Sequence, residues 1–164
     1  VREVSEKTDT IVVMYGDDTA FYSPETINKV IDCHKKTNAK LTFITLLKDN
    51  PQGLGRIIRG TGGSLTAIVE EKDATPEELK IKEINDGMYV FEKELLIKNL
   101  PNVKKNPITG ELYVNEVIKM AIDQKEKISI YKLPDALEWQ GINTPEELEK
   151  AKTKMEERLK SSNE

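Results

Sequence analysis

The chain has 164 residues, enough for one domain with a hydrophobic core but short for two. Lysine and arginine number 25 against 29 aspartates and glutamates, and this net charge of −4 offers no basic excess for binding nucleic acid. Because there is one cysteine, Cys33, and no apolar run near the roughly 18 residues of a membrane span, we expect no internal disulfide, no membrane association and a reducing, cytoplasmic setting.

The first part of the chain predicts a strand, a helix and a second strand. Residues 10–15 form a short apolar run rich in β-branched side chains, as in a strand buried on both faces. A helix is expected to begin after Ser23, a good N-cap followed by Pro24, and to end near Asn38. Residues 41–47 follow as the next strand. This order predicts a right-handed crossover within an α/β domain.

The middle of the chain predicts a hairpin followed by a longer strand. Residues 56–59 and 65–70 have the composition of strands, and Gly60-Thr61-Gly62-Gly63 joins them. A phosphate-binding loop would need a helix directly after these glycines, whereas a β-rich segment follows. We therefore expect a hairpin turn here and a further strand at residues 83–91.

The last third predicts two helices and two strands. Residues 112–123 have apolar positions at helical spacing, and residues 127–133 and 138–142 have strand-like composition. Thr144 and Glu147 form the sequence pattern of a capping box. We expect this box to open a charged C-terminal helix over residues 144–161.

Polar residues follow the first predicted strand and suggest a site. Gly16-Asp17-Asp18 comes where that strand ends, and ligands bind beyond the carboxyl ends of strands in open α/β sheets. Mg²⁺ takes one or two protein carboxylates and fills its other positions with water and phosphate oxygens. A carboxylate placed here could hold Mg²⁺, although a simple polar turn accounts for the same residues.

Four other residues are weaker candidates when each is taken alone. Gly55 could let a ligand approach the backbone, or it could mark a bulge or loop. Glu70 and Asn85 could bind sugar hydroxyls, or they could be ordinary polar strand residues. Asn143 precedes the last helix and suits a turn or cap.

The order of the motifs is more informative than any single one. In chain order the motifs are Tyr15-Gly16-Asp17, Gly55-Arg56-Ile57, residues 68–75, 83–87 and 110–113, and Gly141-Ile142-Asn143. The stretch at residues 69–75, Val-Glu-Glu-Lys-Asp-Ala-Thr, is the most specific part. Together the motifs closely resemble the sugar-1-phosphate nucleotidyltransferases, and most nearly the uridyltransferase domain of the bacterial bifunctional N-acetylglucosamine-1-phosphate uridyltransferases.

The resemblance implies both a fold and a reaction. The fold would be α/β, of the Rossmann-like nucleotide-diphospho-sugar transferase type, with a mixed, mostly parallel sheet flanked by helices and its first strands missing. The reaction would transfer a nucleotidyl group from a nucleoside triphosphate, UTP, to a sugar-1-phosphate, N-acetylglucosamine-1-phosphate, and release pyrophosphate. Such chemistry depends on positioning and charge neutralisation rather than on a covalent intermediate.

The resemblance also implies roles for particular residues. Asp17 would be the catalytic residue and would hold Mg²⁺ together with Asn143. Three positions match sugar-contacting residues of the family, and three match residues that line its nucleotide-sugar pocket. The first set is Gly55, Glu70 and Asn85, and the second set is Tyr15, Gly16 and Tyr113.

The sequence departs from the family pattern in two missing segments and in two single residues. The Gly-rich triphosphate loop and the base-reading segment of the family have no counterpart here, so we expect residues 1–164 to be the C-terminal two-thirds of a nucleotidyltransferase domain. The first predicted strand would then have an exposed edge through which the chain could form a homo-oligomer. Asp18 and Asn115 differ from the residues expected at their positions, so the sequence does not determine which sugar is selected.

Two alternatives remain at this point. A glycosyltransferase that uses nucleotide sugars would also place an acidic metal ligand after a strand, but the sequence offers Asp17-Asp18 and no Asp-x-Asp. A non-catalytic module that binds sugar phosphates or another protein would keep the same fold. Activity of the isolated chain depends on whether the missing loop is supplied.

Overall fold

The computed structural model describes residues 3–106 and 110–161, and of Ser161 only the backbone. The described residues form a six-stranded sheet and four α-helices, joined by short 3₁₀ turns. The strands are β1 (Thr10–Met14), β2 (Leu41–Leu47), β3 (Arg56–Arg59), β4 (Leu65–Val69), β5 (Glu83–Glu92) and β6 (Ile128–Lys132). The helices are α1 (Pro24–Thr37), α2 (Lys93–Asn99), α3 (Val114–Asp123) and α4 (Pro145–Ser161).

The sheet is mixed, and β5 lies at its centre. The strand order is β4-β3-β5-β2-β6, with β1 paired to the C-terminal half of β5. β1, β2 and β3 are all antiparallel to β5, and β6 is parallel to β2. The α/β fold predicted from the sequence is therefore confirmed. The emphasis on parallel pairing needs correction, because β1, β2, β3 and β6 share one direction but β5 separates them and makes most hydrogen-bonded neighbours antiparallel.

A bulge interrupts the pairing of β5 with β2. Phe43 lies opposite Tyr89 and Thr45 lies opposite Asn85, so three residues of β5 face one residue of β2. The central residue of the three is Gly87, with φ of +96°, a conformation that L side chains rarely adopt. The bulge distorts β5 at the Asn85-Asp86-Gly87 motif.

The local capping signals of the sequence are confirmed. The Ser23 hydroxyl accepts a hydrogen bond from the backbone N–H of Thr26 at 3.1 Å, and Asn38 ends α1 in the left-handed conformation with φ of +50°. The hairpin between β3 and β4 forms as predicted. At the start of α4, the Thr144 hydroxyl accepts from the Glu147 N–H at 3.1 Å while the Glu147 carboxylate accepts from the Thr144 N–H at 3.0 Å.

The strand predicted at residues 138–142 is wrong. A 3₁₀ turn at Ala136–Glu138 leads instead into an irregular segment. It pairs with no described strand in a ladder, and its groups bond instead to the bulge of β5 and to the loop after β1. The indole N–H of buried Trp139 donates to the Asp86 carbonyl at 3.3 Å, and the Ile142 N–H donates to the Asp17 carbonyl at 3.1 Å. The apolar residues that gave this segment a strand-like pattern include Trp139, which packs against the sheet.

Both faces of the sheet are covered, and β2 and β5 supply alternate residues to each side. Leu41, Phe43, Tyr89 and Phe91 pack in one cluster with residues of α2 and α3. The other cluster contains Val30 of α1, Trp139 and the apolar core residues of these strands on the opposite face, which are Ile44, Leu46, Ile84, Met88 and Val90. The two clusters fix the register of β5.

The first strand has one strand partner among the described residues, β5. Val12, midway along β1, has 37% of its surface exposed. Association through this edge stays a prediction. Within the described ranges, no helix combines the length and apolar character that a membrane crossing needs.

Candidate active site

The loop after β1, the bulge of β5 and the segment before α4 converge at the end of β1. The Tyr15 N–H donates to the Gly87 carbonyl at 3.3 Å, which joins the loop after β1 to the bulge of β5. The Asp17 carbonyl accepts from the Ile142 N–H at 3.1 Å, which joins the same loop to the segment before α4. The fold thereby brings Asp17 close to Asn143, although more than 120 residues separate them in the sequence.

Asp18, rather than Asp17, points into the space between these loops. Its Oδ1 lies 3.1 Å from the position that a Cβ on Gly141 would take, and its Oδ2 lies 3.2 Å from the corresponding position on Gly87. Asn143 Nδ2 lies 3.5 Å from the same position on Gly141. The half-buried Asp18 carboxylate therefore packs between two glycines, while Asp17 is exposed.

The electrostatics of this region are dominated by Asp18 and its neighbours. Burial, and then the negative charge of Asp17, raise the pKa of Asp18 to about 6, and Lys48 opposes the shift. The Lys48 ammonium lies 4.1 Å from the centre of the Trp139 ring. Burial lowers the pKa of Lys48, while the carboxylates of Glu147 and Asp18 oppose that shift. The half-buried Lys48 ammonium therefore partly offsets the negative charge of the Asp18 carboxylate.

A buried acid, Asp86, lies in the bulge of β5 and accepts two hydrogen bonds. The Tyr22 hydroxyl donates to Asp86 Oδ2, and the Met88 N–H donates to Oδ1 at 3.0 Å. Burial raises the pKa of Asp86 well above its usual range, and the hydrogen bond from Met88 opposes the shift less strongly. The sequence analysis missed this residue. The available signal was an acidic residue placed between the apolar residues Ile84 and Met88 of a predicted strand.

Asn143 is held by the cap of α4. The Glu147 carboxylate accepts from the Asn143 N–H at 2.7 Å as well as from the Thr144 N–H. These bonds lower the pKa of Glu147, the one from Asn143 having the largest effect. The cap thus fixes the backbone of Asn143, while its side chain lies beside Gly141.

Gly55, Glu70 and Asn85 also come together. A Cβ on Gly55 would lie 3.6 and 3.7 Å from the two carboxylate oxygens of Glu70, and the Asn85 N–H donates to the Gly55 carbonyl at 3.4 Å. The loop before Gly55 is tied down by Glu71, whose carboxylate accepts from the Gly53 N–H at 2.6 Å and from Arg56 Nη2 at 3.0 Å. The three positions predicted to contact sugar therefore form one cluster.

A chain of side-chain hydrogen bonds runs through this cluster. Asn85 Nδ2 donates to the Tyr89 hydroxyl at 2.7 Å, the Tyr89 hydroxyl donates to Asn115 Oδ1 at 3.4 Å, and Asn115 Nδ2 donates to Glu70 Oε1 at 2.8 Å. Tyr15 packs edge-on against Tyr89, with ring centroids 6.0 Å apart. Tyr89 and Asn115 were not among the predicted site residues, because only the three-dimensional pairing reveals their link.

The two remaining predicted positions differ in their surroundings. Tyr113, whose hydroxyl donates to Glu111 at 2.9 Å, lines an open groove of about 860 Å³ together with Glu70 and Asn115. Gly16 is exposed, and a Cβ there would meet no atom within 4 Å. Its surroundings therefore impose no steric need for glycine.

The oxygen atoms available as metal ligands near the end of β1 fit Mg²⁺. Asp17 offers an exposed carboxylate and Asn143 an amide oxygen, and Mg²⁺ prefers oxygen ligands. Within the described part of the chain, no group of three or more His, Cys, Asp or Glu side chains could hold a metal ion. A small ligand set of this kind suits an ion that also binds water and phosphate oxygens.

Comparison with known proteins supplies the family. The nucleotidyl transferase family matches residues 1–158. The chain is 41% identical over 153 residues to the bifunctional protein GlmU of Exiguobacterium sibiricum, covering 93% of this chain and 34% of that protein. It is 40% identical over 156 residues to the GlmU of a Geobacillus species, covering 95% of this chain and again 34% of the relative. It therefore spans about a third of the length of these relatives.

A solved structure supports the fold. The chain resembles a Bacillus anthracis protein named as a glucose-1-phosphate thymidylyltransferase, determined in complex with sucrose. The TM-score is 0.65 at 19% sequence identity, over 87% of this chain and 53% of the other. Together with the family match over residues 1–158, the comparisons show that the chain belongs to the nucleotidyl transferase family.

Proposed function

We propose that the chain forms the sugar-phosphate and metal side of a domain that transfers a uridylyl group from UTP to N-acetylglucosamine-1-phosphate. The observation that carries the proposal is the joining of two clusters at Tyr15. This residue bonds to Gly87 beside the Asp17 loop, and its ring packs on Tyr89 of the sugar-side cluster. Identity of about 40% to two GlmU proteins supports the choice of nucleotide and sugar.

The proposed reaction is a direct displacement. A phosphate oxygen of the sugar-1-phosphate forms a bond to the α-phosphorus of UTP. The bond from that phosphorus to the bridging oxygen breaks, and pyrophosphate leaves with the electron pair. No protein nucleophile is needed, so the residues act by positioning the reactants and balancing their charge.

The residues of the chain divide this work. Asp17 and Asn143 would hold Mg²⁺, which when bound neutralises the charge of the phosphates. Gly55, Glu70 and Asn85 would bind and orient the sugar. The nucleotide-sugar pocket would be lined by Tyr15, Gly16 and Tyr113.

Titration calorimetry tests the metal side. We expect N-acetylglucosamine-1-phosphate to bind the 164-residue chain more tightly with Mg²⁺ present. Asp17→Asn should remove at least about tenfold of that Mg²⁺-dependent affinity, since one charged ligand is worth on the order of 1–3 kcal/mol.

The matched control is Asp32→Asn, which makes the same change at an exposed position of α1. It should leave sugar-phosphate binding and its Mg²⁺ dependence unchanged. Absence of sugar-phosphate binding by the unmodified chain, or equal effects of the two variants, would contradict the proposal. Pyrophosphate release on adding UTP would extend the assignment from binding to catalysis.

A further inference from the structure

The hydrogen-bonded chain from Glu70 through Asn115 and Tyr89 to Asn85, hereafter the relay, has a fixed direction. An ionised carboxylate only accepts hydrogen bonds. Asn115 must therefore turn its NH₂ group toward Glu70 Oε1, at 2.8 Å, which leaves Asn115 Oδ1 facing Tyr89.

The direction continues to Asn85. The Tyr89 hydroxyl has one proton, for which Asn115 Oδ1 at 3.4 Å and the Tyr15 hydroxyl are the two acceptors, and with either acceptor the Tyr89 oxygen is available to accept from Asn85. Asn85 meets that oxygen with Nδ2 at 2.7 Å. The charge on Glu70 therefore orients the side-chain amide of Asn85, although Asn115 and Tyr89 lie between the two residues.

As a result, the unused polar atoms of the cluster are acceptors. Asn85 Oδ1 is shielded from solvent and has no hydrogen-bond partner among the described residues. The second carboxylate oxygen of Glu70, Oε2, accepts no hydrogen bond from the described part of the protein, and Glu70 lines the open groove. A buried acceptor without a donor is unfavourable and uncommon in proteins, and a ligand that supplies a donor satisfies it.

We propose that Tyr89 and Asn115 are positioning residues that turn the Asn85 oxygen toward the ligand and so make this subsite selective for donors. Ligands that present hydroxyl or amide N–H groups bind here, while a phosphate, which offers mainly acceptors near neutral pH, is rejected. The inference rests on the proposed function and deepens it. A sugar-1-phosphate enters with its hydroxyls at Glu70 and Asn85 and its phosphate toward Asp17 and Asn143.

Two substitutions at Asn85 test the direction of the amide. Asn85→Asp keeps an oxygen facing the ligand, whereas Asn85→Leu removes it at similar size. In calorimetry with N-acetylglucosamine-1-phosphate, we expect Asn85→Asp to stay within about fivefold of the parent dissociation constant and Asn85→Leu to lose at least about tenfold. If Asn85→Asp binds as weakly as Asn85→Leu, the amide nitrogen meets the ligand and the inference is wrong.

Tyr89→Phe tests the relay itself. The ring stays in the core, but Asn85 loses its acceptor and its amide is able to turn. We expect the dissociation constant to rise about tenfold. We also expect reduced discrimination against analogues in which fluorine, which cannot donate, replaces the 3-, 4- or 6-hydroxyl. Tyr131→Phe, on β6 and in the opposite core cluster, is the matched control and should change neither quantity.

The outcomes separate the inference from the proposed function. Failure of the parent chain to bind N-acetylglucosamine-1-phosphate overturns the proposed function, and the inference with it. Binding by the parent chain, combined with undiminished discrimination by Tyr89→Phe, overturns the relay alone.

Discussion

The metal side and the sugar side of the candidate site are built differently. On the metal side, Asp17 is exposed and Asp18 is half buried beside it, with Lys48 as a partial counter-charge. On the sugar side, Glu70 and Asn85 belong to a continuous hydrogen-bonded system. The sugar side is preorganised without ligand, whereas the metal side concentrates negative charge that a cation would balance.

The largest expected effect comes from Gly87, which contacts Tyr15, the residue that joins the two sides. A Cβ there would lie 2.5 Å from the Tyr15 ring, and the φ of +96° suits glycine. We expect Gly87→Ala to lower the free energy of unfolding by about 2–4 kcal/mol, measured by urea denaturation. The control is Gly16→Ala in the adjoining loop, where a Cβ meets nothing within 4 Å. Equal destabilisation by the two variants would show that neither the positive φ nor the contact with Tyr15 requires glycine at position 87.

A smaller effect concerns the acid beneath the metal side. Because the pKa of Asp86 is raised in the folded state, the native protein holds a proton that the unfolded chain releases. The stability that this proton provides is fully present below the ordinary pKa of aspartate and is lost as pH rises through the folded-state value. Asp86→Asn keeps a neutral side chain of the same shape.

Denaturation at several pH values checks this point. The parent protein should lose stability as pH rises above about 4, and Asp86→Asn should show a smaller loss and be more stable at pH 8 by on the order of 1 kcal/mol. A parallel pH slope for the parent protein and Asp86→Asn would count against a buried protonated acid.

The smallest effect concerns the cap that holds Asn143. Glu147→Ala removes the acceptor for the backbone N–H groups of Asn143 and Thr144. We expect a loss of about 0.5–1 kcal/mol of stability and a weaker Mg²⁺ dependence of sugar-phosphate binding, both measured on one preparation. Glu146→Ala, one residue earlier in the same helical turn, should cause less of each. An unchanged Mg²⁺ dependence in Glu147→Ala would show that the cap does not position Asn143.

The sequence permitted correct predictions where the determining contacts are local. Ser23, Asn38 and the pair Thr144 and Glu147 act within a few residues of their partners, so their patterns predicted the helix ends correctly. The segment at residues 138–142 failed because apolar residues indicate burial without saying which partner they bury against. Trp139 packs beneath a bulge rather than beside a strand.

The site shows the same limit. The family motifs predicted positions that the fold places in two adjoining clusters, but they did not predict that Asp18 would occupy the space between Gly87 and Gly141. Tyr89 looks like an ordinary core aromatic in the sequence, and its hydroxyl bonds to Asn85 and Asn115 only because α3 packs over that face of the sheet. Such links depend on long-range packing, which a single sequence does not display.

Around its bulge, the single strand β5 supplies residues to both sides of the site. Asn85 and Tyr89, which belong to the relay, project from one face of β5. Asp86 lies against Tyr22 and Trp139 on the opposite face. Since neighbouring residues of a strand face opposite ways, losing one residue between Asn85 and Tyr89 would exchange the two faces. Such a deletion would turn Asn85 away from Tyr89 and into the cluster around Trp139, and would turn Asp86 toward the relay, so the spacing at this bulge constrains the evolution of both sides together.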